Sequence, residues 1–223
     1  MISQLPRWVW AGAGGLAFLA GIVNAVGLLG FNHQAITHLT GTTSMLAAAA
    51  ASGDVRQFLH LAAIIGSFLA GTALSGFLIQ DSTLQLSHRY SVALVLESAL
   101  LGAAVPLLDH HSAYGLYAAS CACGLQNAMV STYSGAVIRT THLSGMFTDL
   151  GIFLGHALRG LPVDPRRQRL CFIIIAGFFA GGVVGTIAFH HLGGATLYLP
   201  SGLAAATALA CAASHRYHPP STP

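Results

Sequence analysis

Residues 37–46 read Thr37-His38-Leu39-Thr40-Gly41-Thr42-Thr43-Ser44-Met45-Leu46, and residues 140–147 read Thr140-Thr141-His142-Leu143-Ser144-Gly145-Met146-Phe147. Each stretch opens with hydroxyls, a histidine and a glycine, then turns apolar. Thr37-His38-Leu39-Thr40-Gly41 matches Thr141-His142-Leu143-Ser144-Gly145 at an offset of 104 residues. Two further matches keep the same order: Asn24-Ala25 with Asn127-Ala128 at an offset of 103, and Phe68-Leu69-Ala70-Gly71 with Phe178-Phe179-Ala180-Gly181 at 110. The pattern reads as an internal duplication, with a first repeat over 1–108, a second over 109–214, and a disordered cytoplasmic tail over 215–223.

The surroundings of these stretches identify the solvent. Hydrophobic residues make up 54% of the 223-residue chain and charged residues only 7%. A soluble domain carries roughly 25% charged residues, because water must meet most of its surface. Disordered chains are charged and poor in apolar residues, so the same figures exclude disorder. The expectation is an all-α, polytopic membrane protein. All nine basic residues are arginines, which reads as a topology signal and gives no nucleic-acid footprint.

Eight apolar segments follow one another with short turns, at about 8–29, 36–52, 58–79, 91–108, 113–137, 142–158, 170–190 and 196–213. A crossing helix needs about 20 apolar residues to span ~30 Å of hydrocarbon. The second and sixth segments are short and polar at their first turns. If they are re-entrant, there are six full spans plus two interrupted segments, and three spans per half inverts the second half against the first, as in many transporters. If they cross, there are eight spans and the halves are parallel. With eight spans, Arg89 and Arg139 lie opposite the other seven arginines; with six, only Arg56 does. Both counts place the termini and the Arg159–Arg169 loop in the cytoplasm of a bacterial inner membrane, and neither decides the number of spans.

Several residues could carry chemistry. Glu97 and Asp149 lie within apolar segments, where a carboxylate is costly and usually faces the protein interior or water. They are read as proton- or ion-coupling groups, against the simpler reading of carboxyls bonded to a neighbouring helix. Gln126 and Asn127 are amides that need partners away from lipid. Ser120, Cys123, Gly124, Asn127, Ser131 and Ser134 share one helix face, which suits either packing or a wet path. The two openings matter most. A helix that starts inside a membrane leaves backbone N–H groups unpaired and a partial positive charge at its end. His38, Thr40, Gly41, Thr42, Thr141, His142, Ser144 and Gly145, with Asn24, Gln126 and Asn127, are the expected substrate-binding set. No catalytic residue, metal site or cofactor is expected: cysteine spacing fits no zinc motif, and no nucleotide or hydrolase signature occurs.

The order Gly21-x-x-Asn24-Ala25, His38-Leu39-Thr40-Gly41-Thr42, Leu94-Val95-Leu96-Glu97-Ser98, Gly124-Leu125-Gln126-Asn127-Ala128, then Thr140-Thr141-His142-Leu143-Ser144-Gly145 and Asp149, resembles the YoaK-like family of bacterial inner-membrane proteins of unknown function. The resemblance covers nearly the whole chain and implies six spans. It departs at Asn24, where the family often has Asp, and at Thr42, where it often has Asn. The functional expectation is a small-solute transporter or channel, and the helix-end argument suits a solute that brings an anion or a carbonyl oxygen. The competing class is a non-transporting accessory or scaffold protein that binds a membrane partner or a lipid. The bilayer is the expected surrounding, no nucleic acid partner is expected, and a homo-oligomer is compatible with the small-residue faces.

Overall fold

The structure is a computed structural model that describes residues 7–30, 36–79, 88–134 and 139–217. These residues form eight α-helices: α1 (Arg7–Gly30), α2 (Leu39–Ser52), α3 (Val55–Leu78), α4 (His88–Asp109), α5 (Ala113–Tyr133), α6 (Leu143–Leu158), α7 (Pro165–Leu192) and α8 (Tyr198–Tyr217). A 3₁₀ turn, Gly193–Leu197, joins the last two.

Local chemistry places the breaks. Gly53 takes a left-handed φ of 72° after α2, a conformation that costs a residue with a Cβ. Asp54 then caps α3 by accepting from the Gln57 N–H at 2.9 Å. Asp164 caps α7 in the same way, with Pro165 in the first turn, where its missing N–H costs nothing. Residues 215–217 of the expected tail belong to α8, which continues to Tyr217, and 218–223 lie outside the described residues.

Close approaches set the helix directions. On α3 and α5 the pairs run His60–Tyr117, Ile64–Ser120 and Phe68–Gly124, so the two helices are parallel. On α1 and α7 they run Gly14–Gly177, Phe18–Gly181 and Ile22–Gly185, again parallel. The glycines are what permits this. A Cβ on Gly71 or Gly124 would strike the backbone carbonyl of Cys121 or Phe68, and one on Gly21 or Gly181 the carbonyl of Phe178 or Phe18. Small residues let membrane helices approach to backbone contact. By contrast, α4 and α5 are an antiparallel hairpin, with Gly115 against Leu108 and Gln126 against Glu97. The end of α4 meets the turn after α7, where Gly194 lies against Asp109.

From these pairings α1, α4 and α7 point one way and α3, α5 and α8 the other. α1 therefore finishes at the end of the bundle where α3 starts, and α5 finishes where α7 starts. α2 and α6 each leave and return at a single end. Their 14 and 16 residues reach only about 21 and 24 Å at 1.5 Å per residue. Two buried clusters fill the bundle. Val26, Leu61, Leu101 and Leu116 belong to one, while Ala13, Leu94, Met129 and Ile174 belong to the other, nearer the N-terminus of α1.

Among the described residues four stretches are long and apolar enough to cross a membrane: Val9–Gly30, Val55–Leu78, His88–Asp109 and Pro165–Ala213, the last holding both α7 and α8. α5 is not among them, because serines, glycines, Gln126 and Asn127 dilute its hydropathy. Its place in the bundle accounts for that composition. α5 lies between α3 and α4, and residues from Gly115 to Gln126 are largely buried against protein.

Candidate functional site

The two polar openings become the first turns of α2 and α6. His38 is the N-cap of α2 (φ −97°, ψ 62°) and His142 that of α6 (φ −89°, ψ 58°). Neither side chain caps its helix. The first intrahelical bonds are also the same: Thr42 N–H to the His38 carbonyl at 3.1 Å, and Met146 N–H to the His142 carbonyl at 3.3 Å. The N–H groups before them have no acceptor within their own helix.

An asparagine on a long helix holds each opening. The Asn24 side-chain oxygen accepts from the Thr37 N–H (3.3 Å) and hydroxyl (3.0 Å). The Asn127 amide donates to the Thr141 hydroxyl, and its oxygen accepts from the Thr140 hydroxyl at 3.4 Å. Each asparagine sits six residues before the end of its helix, so each opening is drawn back roughly 9 Å from that end. His38, Thr40, His142 and Ser144 are exposed on the openings, whereas Thr42 is buried and donates to the His38 carbonyl. The histidine rings lie beside Gly41 and Gly145, and a side chain at Gly145 would collide with the His142 ring.

The rest of the expected set divides. Gln126, next to Asn127 in sequence, turns to α4 and donates to Glu97 Oε1 at 2.8 Å. Glu97 is 3% exposed, and its Oε2 has no partner among the described residues. Asp149 is held by Arg167 at 3.0 Å, the guanidinium lying over the Phe153 ring. The polar face of α5 is packed along its first half: Ser120 donates to the Ile64 carbonyl at 2.9 Å, and Gly124 abuts Phe68. Ser134 donates to the Val130 carbonyl of its own helix. Among the described residues α2 packs on α3 and α6 on α7, and no contact joins α2 to α6. The two openings thus do not meet through their helices. No group of three His, Cys, Asp or Glu among the described residues is placed to hold a metal ion.

Two features escape a reading of the sequence. Ser98 of α4 and Ser201 of α8 meet: the Ser201 hydroxyl donates to the Ser98 carbonyl at 2.8 Å. Their offset is 103 residues, the same as that of Asn24 and Asn127, and that number was the available signal. The second is a cavity of about 450 Å³ between α1, α4, α5 and α8. It has no sequence signature, since ordinary apolar residues line it.

Comparison with known proteins places the chain among membrane proteins. Over 188 residues it is 29% identical to a UPF0700 transmembrane protein of Rhizobium meliloti (strain 1021), covering 83% of this chain and 78% of that one. No solved structure matches. The resemblance to a bacterial membrane family of unknown function is upheld at that level, without the YoaK-like name. The family model described as "Protein of unknown function (DUF1275)" matches residues 13–210, and the chain belongs to that family.

Proposed function

We propose that this integral membrane protein is a small-solute transporter built from two inverted halves, 1–108 and 109–214, that cross the inner membrane six times with both termini in the cytoplasm. α2 and α6 are re-entrant half-helices on this reading. The observation that carries it is the matched pair of openings: Asn24 holds Thr37 ahead of His38, Asn127 holds Thr140 and Thr141 ahead of His142, and the two stand on oppositely directed helices. Helix contacts follow the same exchange. Gly21 on Phe178 answers Gly124 on Phe68, and Phe18 on Gly181 answers Cys121 on Gly71. The Ser98–Ser201 contact falls where the exchange maps α4 onto α8.

Half-helix N-termini drawn back from the surface present N–H groups and partial positive charge to a carboxylate, phosphate or carbonyl oxygen. Thr40 and Ser144 add exposed hydroxyls, and His38 and His142 add exposed imidazoles. Arg159, just after α6, and Arg166, Arg167 and Arg169, in the first turns of α7, lie at the end where α1 begins, which orients that end to the cytoplasm.

Cysteine labelling tests the reading. In a chain with its native cysteines replaced, a membrane-impermeant charged thiol reagent should modify Thr40→Cys and Ser144→Cys in proteoliposomes. It should leave Leu69→Cys untouched, since that residue lies exposed midway along α3 and faces lipid. A small polar anion that protects both openings would identify the solute class. Silence at both positions would overturn the transport reading in favour of a packed scaffold.

A further inference from the structure

The 450 Å³ cavity has a floor and an open side. Ala13, Leu94 and Met129 line it and are buried. Gly12 and Gly15 of α1 and Leu203 and Thr207 of α8 line it and are exposed. It is therefore a groove between α1 and α8, floored by α4 and α5. None of its lining residues carries a charge. Both rim helices belong to stretches that are long and apolar enough to cross a membrane. Hydrocarbon, rather than water, meets the open side.

The groove also has a length and a direction. On α1 it runs from Val9 to Leu19, ten residues or about 15 Å. That is half of the ~30 Å hydrocarbon core, the depth of one leaflet. Val9, Tyr90 and Cys211 mark its outer end, near the start of α1, the start of α4 and the end of α8. These three helix ends lie at the same end of the bundle. Each carries an arginine by position: Arg7, Arg89 and Arg216. Among the described residues the acids at that end are engaged on other helices, Asp149 by Arg167 and Asp164 as the cap of α7. A slot one leaflet deep, apolar along its length and basic at its outer end, is complementary to a phospholipid with a negative headgroup. Basic sites between membrane helices attract such headgroups.

We propose that the groove holds one acyl chain of an anionic phospholipid, with the headgroup at the helix ends that carry Arg7, Arg89 and Arg216. The groove shares no residue with the two half-helix openings, so lipid binding here stands or falls independently of transport through them.

Native mass spectrometry tests this on the purified full chain, released from nonionic detergent after titration with dioleoylphosphatidylglycerol. One lipid should bind ahead of all others, about tenfold or more tighter than zwitterionic dioleoylphosphatidylcholine. Arg89→Gln should weaken phosphatidylglycerol about fivefold, the share of one basic residue beside anionic lipid, and leave phosphatidylcholine unchanged. Gly12→Leu should weaken both lipids about tenfold or more. Nothing lies within 4 Å of a Cβ built at Gly12, so the added side chain occupies the groove without disturbing the bundle. Gly76→Leu, equally open but on α3, and Arg56→Gln, at the other end of the bundle, should bind as wild type does. Equal affinity for the two lipids would overturn the proposal, because the headgroup would not be read. So would unchanged binding in Gly12→Leu, which would place the lipid elsewhere. A wild-type dimer that Gly12→Leu dissociates would also overturn it, by giving the groove to a second copy of the chain.

Discussion

Replacing Gly71 by alanine is the sharpest test of the packing that sets the helix directions. A methyl group there would overlap the Cys121 carbonyl and press on the Leu125 N–H, both backbone atoms of α5. A flexible side chain could swing aside, but a helix backbone can only retreat as a body. α5 is held in place reciprocally, because Gly124 meets the Phe68 carbonyl of α3 one turn away. Overpacking a well-filled interface costs about 1–3 kcal/mol, and a backbone obstacle puts this substitution near the upper figure. Gly76, on the same helix, has nothing within 4 Å of a built Cβ. There alanine should gain about 0.5–1 kcal/mol from helix propensity alone. The gap between Gly71→Ala and Gly76→Ala should therefore be about 3–4 kcal/mol. Reversible unfolding in mixed micelles, followed by circular dichroism, measures it. The neighbouring residues Gly181, against Phe18, and Gly182, with open space, should repeat the contrast on α7. The double variant Gly71→Ala/Gly124→Ala should cost less than the sum of the singles, since the helices need part only once. If Gly71→Ala and Gly76→Ala differ by less than about 0.5 kcal/mol, the close parallel packing is refuted.

Two further outcomes follow from the site geometry. Asp149 and Arg167 are partly exposed, at 25% and 49%, so a double-mutant cycle on the pair should give a coupling below about 1 kcal/mol; a value twice that would mean the carboxylate is far better shielded than it stands here. Asn127→Ala removes both bonds that draw the α6 opening inward, and should lower stability in micelles by about 1–2 kcal/mol; Asn24→Ala should match it, and a loss confined to one of the two would contradict the equivalence of the openings.

Much of this arrangement is legible in the residues. The shared Thr-His-Leu pattern and the matched asparagines mark the two helix starts, and the phenylalanine–glycine matches mark the close approaches. The number of crossings is not legible, because arginine counts suit both alternatives. Helix direction is not legible either, because it depends on which glycine faces which carbonyl across fifty or more residues of sequence. Gln126 and Asn127 both read correctly as amides in need of partners. Their neighbours do not follow from the reading, since adjacent residues on a helix point about 100° apart and meet different helices. Asp149 shows the limit most plainly. In sequence it sits inside an apolar run, seven residues past His142. In the fold, α6 is short and rests on the first turns of α7, which brings Arg167, eighteen residues on, to its carboxylate.

The two-half reading also accounts for where the structure is unequal. At the offset of 103, Gly12 answers Gly115, Leu16 answers Ala119, Leu19 answers Ala122, and Thr207 answers Ala104. The first member of each pair lines the cavity between α1 and α8. The second members are packed: a Cβ on Gly115 would strike Leu108 and the Ala104 carbonyl, and Ala104, Ala119 and Ala122 are fully buried. One end of the bundle is thus open where the other is shut, at corresponding positions. The anchors at Asn24 and Asn127 do not share this inequality, so the difference lies in how α8 sits on α1 and α4 on α5, outside the openings themselves. A carrier that exposes a central site to one side at a time needs that division: a fixed pair of binding ends and two interfaces that need not be closed together. Glu97 stands on one side of it only, because its counterpart at the Ser98–Ser201 offset is Pro200, which has no charge to offer.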